Sequence, residues 1–219
     1  MKLSEKLFLS TKELWDLSTE KPFVIEMAKG TLIDQKFRNY TLQDYLYLLD
    51  YAEILRRMKA LSADAGLTEF LDRIIYETLQ ETERVHLPNI KKIGIKDDEI
   101  VRSNEIKAIS DYVAFMEKCI DEEGLPGGLT ALLQCSWVYA YISENVMLKY
   151  PAEVASSKYR FWFEAYSCKS YLDANQMWID TLDKQLDGLD DKETERLCRI
   201  FKQCAIYENE LWDALWDVI

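Results

Sequence analysis

Apolar and polar positions repeat with a helical period along most of the chain. Leu7, Phe8, Leu14, Trp15 and Leu17 predict a first helix over Leu3 to Ser18. Lys29-Gly30-Thr31 reads as a turn. Thr41-Leu42-Gln43-Asp44 reads as a capping-box start, and the Tyr- and Leu-rich stretch after it predicts a second helix to about Ala63, ending near Gly66. A third runs from about Thr68 towards Gly94, kinked or divided at Pro88. Lys96 to Arg102 is polar and is expected to be a loop, followed by a fourth helix over Asn104 to Glu122. Gly124-Leu125-Pro126-Gly127-Gly128 then breaks the chain. A central helix, apolar and aromatic from Leu129 to Ile142, is expected to reach about Tyr150, before Pro151. Two further helices over Ser157 to Tyr171 and Asp173 to Leu186, a turn from Asp187 to Asp191, and a last helix running almost to the end complete the pattern. No segment alternates with period two for long enough to predict a strand, and no linker, internal repeat or low-complexity tract interrupts the series. The expectation is an all-α fold, a single-domain multi-helix bundle over residues 1–219 with seven or more helices.

Composition sharpens this picture. Hydrophobic residues make up 48% of the 219, enough for a substantial core, and 7 Gly with 4 Pro leave little material for the many turns of an all-β fold. The formal net charge of -12 removes the main electrostatic attraction for phosphate backbones and anionic lipid surfaces, so neither nucleic acid nor membrane is an expected partner. A neutral or cationic small substrate remains compatible. The 5 cysteines are scattered, with no Cys-x-x-Cys spacing, which reads as a reduced, cytoplasmic protein. Met1 to Leu9 is interrupted by Lys2, Glu5 and Lys6, so no signal-peptide core is expected, and no apolar run approaches a membrane span.

The one histidine, His86, excludes most zinc chemistry and any Ser-His or Cys-His triad not built on it. Glu83 and His86 form a Glu-x-x-His motif, but the usual di-iron bundle site needs two such motifs. Glycine-rich phosphate loops are absent. No metal and no cofactor is expected.

Several polar groups stand in apolar surroundings. Cys135 and Tyr139, four apart, share a helical face, as do Asp44 and Tyr47, three apart. Tyr112 sits among Ile109, Val113 and Met116, and Glu208 is followed by Leu211 and Trp212 on one apolar stripe. Cys135 reads either as a nucleophile or as an inert buried thiol. Asp44 reads either as a ligand-binding carboxylate or as a charge that complements a helix N-terminus. Glu208 is either solvent-facing or partly desolvated and suited to proton transfer. Spacing leaves each choice open.

Taken in order, these segments resemble the TenA family, the thiaminase II or aminopyrimidine aminohydrolase enzymes. The matching pieces are Lys21-Pro22-Phe23-Val24, Gly30-Thr31-Leu32, Phe37-Arg38-Asn39-Tyr40 and Gln43 to Leu48. They continue with Glu83 to His86, Ala131 to Tyr139, Phe161-Trp162 with Tyr166, and Tyr207-Glu208 with Leu211-Trp212. The resemblance implies the haem-oxygenase-like α-helical fold, a homotetramer, and hydrolysis at the methylene carbon of a 4-amino-2-methylpyrimidine. The implied substrates are 4-amino-5-aminomethyl-2-methylpyrimidine and, in some members, thiamine. It implies Cys135 as nucleophile, Glu208 as acid/base, Asp44 as the carboxylate on the aminopyrimidine edge, and Tyr47, Tyr112, Tyr139 and Tyr166 as stacking and hydrogen-bonding tyrosines. Three positions depart from the family pattern. Gln134 replaces a usual proline before the cysteine, Lys21 replaces a usual histidine before Pro-Phe, and Asn209 follows Glu208 where an aromatic is common.

Two other functions compete. Haem degradation needs a proximal histidine near the N-terminus, where this chain has none. A non-catalytic pyrimidine-binding or regulatory protein of the same fold would bind the ligand without turning it over. Direct DNA contact is opposed by the acidic charge and the lack of a basic recognition helix.

Overall fold

The computed structural model describes residues 1–83 and 87–217; His86 lies outside them. Among the described residues the regular elements are helices, in the order α1 (Leu3–Thr19), α2 (Pro22–Lys29), α3 (Asp34–Leu61), α4 (Ala65–Glu81), α5 (Leu87–Lys92), α6 (Asp97–Arg102), α7 (Lys107–Lys149), α8 (Pro151–Ser156), α9 (Arg160–Ser167), α10 (Lys169–Gln185) and α11 (Asp191–Asp217). None of these helices is long and apolar enough to cross a membrane. The chain groups into two compact units. The first holds Met1–Leu32 and Leu129–Asp217, and the second holds Ile33–Gly128.

In the first unit α1 packs along α11 and also touches α10, while α2 packs on α8 and α11. The α1 face carries Leu7, Thr11, Trp15 and Ser18, residues three or four apart and all buried. Trp15 meets Trp137 of α7 edge-on at 5.3 Å and Phe201 of α11 at 5.8 Å. Each fully buried aromatic of this kind contributes about 1.5–3 kcal/mol from lost water contact. Pro22 opens α2 at a position where its missing N–H goes unused. Gly30 closes it in the left-handed conformation, φ 70°, where its backbone lies against Ser157 and a Cβ would come within 3.3 Å of that residue's Cα. Ser157 in turn donates through its hydroxyl to the Met27 carbonyl, 2.6 Å, tying α2 to the end of α8.

In the second unit α3 packs against α4 and α5. Asp64 caps α4 by accepting the Leu67 N–H at 2.6 Å. An ion pair joins Arg57 of α3 to Asp121 of α7. The start of α7 is clamped by one side chain. Gln43 donates through Nε2 to the Asn104 carbonyl, 3.1 Å, and accepts the Ile106 N–H through Oε1, 2.7 Å. The helix α7 is continuous except at Gly124, whose φ 62° and ψ -144° lie in a region essentially reserved for glycine. At the break the chain closes on itself, and a Cβ on Gly127 would meet the Cys119 carbonyl at 2.4 Å.

Four elements differ from the sequence reading. First, α3 begins at Asp34, not Thr41. Thr41 is inside the helix, with its hydroxyl bonded to the Phe37 carbonyl four residues back, 2.8 Å. Second, α4 begins at Ala65, so Gly66 lies in its first turn instead of ending α3. Third, Lys96 to Arg102 is no loop: Asp97–Arg102 is a helix with no buried residues, opened by Glu99 accepting the Lys96 N–H at 3.1 Å. Fourth, the break expected between Tyr171 and Asp173 falls at Cys168. The short helices α2 and α8 are additional to the pattern read from the sequence.

One carboxyl pair in the second unit predicts a pH dependence. Burial, then the neighbouring Asp50, push the Glu105 carboxyl up to about 7. Between the ordinary glutamate value near ~4.3 and that raised value, the folded chain binds more protons than the unfolded one, so stability falls as pH rises through this window. Glu105 is only half-buried, and solvent screening reduces the effect to about 1 kcal/mol. Glu105→Gln should therefore flatten the melting profile between pH 5 and pH 8 and raise the pH 8 melting temperature by about 2–4 °C. An unchanged slope in thermal melts across that range would show that the pair carries no such penalty.

Candidate active site

The central helix supplies the first candidate. Residues 131–135 and 138–140 are buried, because this part of α7 is apolar on nearly every side. Cys135 and Tyr139 sit one turn apart on it, both buried. The Tyr139 ring meets Tyr166 of α9 edge-on at 4.9 Å, Trp162 at 5.8 Å and Trp212 of α11 at 5.8 Å. Trp162 and Tyr166 pack on each other at 4.8 Å. Three helices of the first unit thus build one aromatic wall around Tyr139. The edge-on and tilted contacts hold these rings in fixed orientations.

Glu208 stands on the same stripe of α11 as Trp212, four residues earlier, and only 1% of it is exposed. Glu208 is therefore buried and not solvent-facing. An ionised carboxylate is rarely buried to this degree without function or a partner.

The other cysteines have different surroundings. Burial, with Glu122 and Glu123 nearby, pushes the Cys119 thiol up to about 12, which keeps it protonated and unreactive. Burial raises the Cys198 thiol as well. Cys204 is fully enclosed among core side chains, and Cys168 is exposed at the start of α10. Cys135 is buried, and its one-turn neighbour Tyr139 stands at the centre of the aromatic wall.

In the second unit, Asp44, Tyr47 and Tyr51 follow one face of α3 and are buried. Tyr47 stacks on Tyr112 of α7, centroids 6.1 Å apart and planes 21° apart, and touches Tyr51 at 5.9 Å. The Tyr47 hydroxyl lies 3.9 Å from the Met116 sulfur. Because α3 starts at Asp34, Asp44 is ten positions into the helix and far from the N-terminal turn. The dipole explanation for Asp44 therefore fails, since that effect fades within the first turn. Asp44 is thus a buried aspartate in mid-helix, one turn from the stacked Tyr47.

All seven residues expected at the site are placed. The structure brings Tyr139 and Tyr166 together in the first unit, with Cys135 one turn before Tyr139 on α7 and Glu208 one turn before Trp212 on α11. It brings Tyr47 and Tyr112 together in the second, one turn from Asp44. The stripe after Glu208 includes Trp212, and Trp162 stands four residues before Tyr166; that both rings meet Tyr139 is set by contacts between helices, which spacing does not report.

Comparison with known proteins identifies the family. Aminopyrimidine aminohydrolases from Helicobacter pylori and Halalkalibacterium halodurans are 28% and 27% identical to this chain. Each alignment covers 99% of it and 100% and 96% of theirs, respectively. A TenA homologue from P. horikoshii OT3 superposes with a TM-score of 0.86 at 25% identity, over 99% of both chains. A domain of unknown function with a haem-oxygenase-like fold from Shewanella denitrificans superposes at 0.77 over 99% of this chain and 92% of that one; at 16% identity this shows the shared fold. The TENA/THI-4/PQQC family pattern matches residues 10–218, and the chain belongs to that family.

Proposed function

We propose that the chain is an aminopyrimidine aminohydrolase of the thiaminase II type, acting in thiamine metabolism. Its substrate would be 4-amino-5-aminomethyl-2-methylpyrimidine, with thiamine as a second candidate, and its product 4-amino-5-hydroxymethyl-2-methylpyrimidine. The observation that carries the reading is the buried Glu208 on one stripe with Trp212, whose ring packs on Tyr139 one turn from Cys135. Full-length similarity to two aminopyrimidine aminohydrolases supports it.

The chemistry suits these residue types. The Cys135 thiolate adds to the electron-poor pyrimidine ring beside the carbon that bears the methylene, and the electron pair moves to a ring nitrogen. Glu208 protonates that nitrogen, which makes the addition easier. Return of the electrons expels the amine from the methylene, breaking the C–N bond. Water adds to the exposed methylene, forming the C–O bond, and the thiolate leaves to restore the aromatic ring. The net change is hydrolysis with no oxidation. The tyrosines help in two ways, since stacked rings fix the plane of the pyrimidine and phenol hydroxyls can stabilise a thiolate.

Asp44 has a separate task. The 4-amino group donates hydrogen bonds, and an ionised carboxylate only accepts them. Asp44→Ala is expected to weaken pyrimidine binding by about 2–4 kcal/mol, the scale for losing a charged hydrogen bond in a dry site. Replacing the substrate's amine by an oxo group should harm binding to the wild type and matter much less to the variant. Calorimetric titration of both ligands against both proteins checks this. Equal affinities in all four pairs would remove Asp44 from the site.

Steady-state kinetics with the aminopyrimidine and with thiamine in one assay test the reaction and rank the substrates. Release of ammonia from the first, or of the thiazole from the second, supports the hydrolase reading. Tight binding of both without product would favour the non-catalytic binding protein.

A further inference from the structure

Two of the three positions at which the sequence departs from the family pattern meet on one seam. Asn209 lies on α11 and is buried. Its Nδ2 donates to the Leu14 carbonyl of α1 at 3.0 Å and to the Ala205 carbonyl of its own helix at 2.9 Å. Four residues on, Asp213 accepts from Lys21 Nζ at 2.7 Å. Lys21 is only 9% exposed and forms the N-cap of α2, directly after the corner that follows α1. Asn209 and Asp213 thus form one i, i+4 stripe that ties α11 to the body of α1 at Leu14 and to the start of α2 at Lys21.

The neighbouring stripe is Glu208 and Trp212. Each anchoring residue immediately follows a residue of the candidate site, about 100° round the helix. A single attachment would leave a helix free to roll about the contact. Two attachments about 6 Å apart along the axis fix both the roll and the slide. A roll of about 20° would swing a carboxyl held about 6 Å from the axis through about 2 Å, and misplacements of about 1 Å can cost a hundredfold in rate. Phe23, two residues after Lys21, also touches Trp212 at 5.5 Å, so the same corner braces the ring beside Glu208.

Asn209 is not there for packing alone. Its Oδ1 is buried and has no hydrogen-bond partner among the described residues. An apolar side chain would avoid that penalty and would lose the link to α1 together with the bond to the Ala205 carbonyl.

We propose that Asn209 and the Lys21–Asp213 ion pair are positioning residues that set the rotation of α11 and thereby aim the Glu208 carboxyl at the substrate. This rests on the reading of Glu208 as the acid/base.

The test uses Lys21→Met, Asn209→Leu and Lys21→Arg, each made in the wild type and in the Glu208→Gln background. kcat, KM, the pH profile of kcat and the melting temperature are measured on each. Lys21→Met and Asn209→Leu should lower kcat about tenfold with KM within about twofold, and Lys21→Arg should restore kcat, as expected for misaimed acid/base catalysis. In the Glu208→Gln background the same changes should cost almost nothing further, because the carboxyl they aim is gone. Full additivity of the losses, or equal loss of kcat and affinity in step with the melting temperature, would reduce the seam to a structural contact and overturn the proposal. Wild-type kcat and pH profile in both variants, with Glu208→Gln inactive, would sink the positioning role alone. Wild-type kcat in Glu208→Gln would instead remove the acid/base reading. If Asn209→Leu fails to fold, Lys21→Met against Lys21→Arg decides by the same readouts.

Discussion

Cys135→Ser should fold with a melting temperature within a few degrees of the wild type and lose turnover by about three orders of magnitude or more. The change swaps sulfur for oxygen in a buried position of α7, so packing changes little. The chemistry changes greatly. A free thiol with a pKa near ~8.5 is a few per cent ionised at neutral pH and intrinsically nucleophilic, whereas a serine hydroxyl without an adjacent base is a poor nucleophile. Cys168→Ser provides the control. Cys168 is exposed at the start of α10, and its replacement should leave turnover unchanged. Near-normal kcat in Cys135→Ser would remove the covalent route, because direct attack of water on the methylene would then suffice.

Glu208→Gln should lower kcat by about two orders of magnitude with KM changed little. The amide keeps the size and one hydrogen-bonding oxygen of the carboxyl but cannot deliver a proton, the usual scale for loss of a general acid or base being 10²–10⁴. The substitution also removes a buried carboxyl from an apolar stripe, so the folded state should be no less stable. Loss of one limb of the pH–kcat profile should accompany the drop. A rise in KM alone would make Glu208 a binding group.

Helices with a one-sided apolar stripe were legible in the sequence. The last helix is an example, with Leu197, Phe201, Cys204, Glu208, Leu211, Trp212 and Leu215 on its buried side. The break at Gly124 was legible too, because only glycine tolerates that backbone conformation. Elements without such a stripe were missed. The short α6 buries nothing and is defined by a local capping contact. The start of α3 was misplaced because Thr41 mimics a cap while bonding within the helix. That error mattered for function, since it alone made a dipole role for Asp44 plausible.

Of the candidate site, the pairs four or three apart on one helix could be read directly: Cys135 with Tyr139, and Asp44 with Tyr47. The roles of the residues came from the resemblance of the ordered segments. Contacts between distant segments could not be read, because nothing local in the sequence specifies that Trp162, Tyr166 and Trp212 converge on Tyr139. The seam of Asn209, Asp213, Leu14 and Lys21 was hidden for the same reason, although two of its members were visible as departures from the family pattern.

The most direct test of the hydrolase account is product analysis in ¹⁸O-labelled water. The wild-type chain is incubated with 4-amino-5-aminomethyl-2-methylpyrimidine, and ammonia and the pyrimidine product are quantified together by mass spectrometry. The account predicts one ammonia released for each hydroxymethylpyrimidine formed, with the label in the new hydroxyl group. Unchanged substrate in the presence of saturable binding would contradict it.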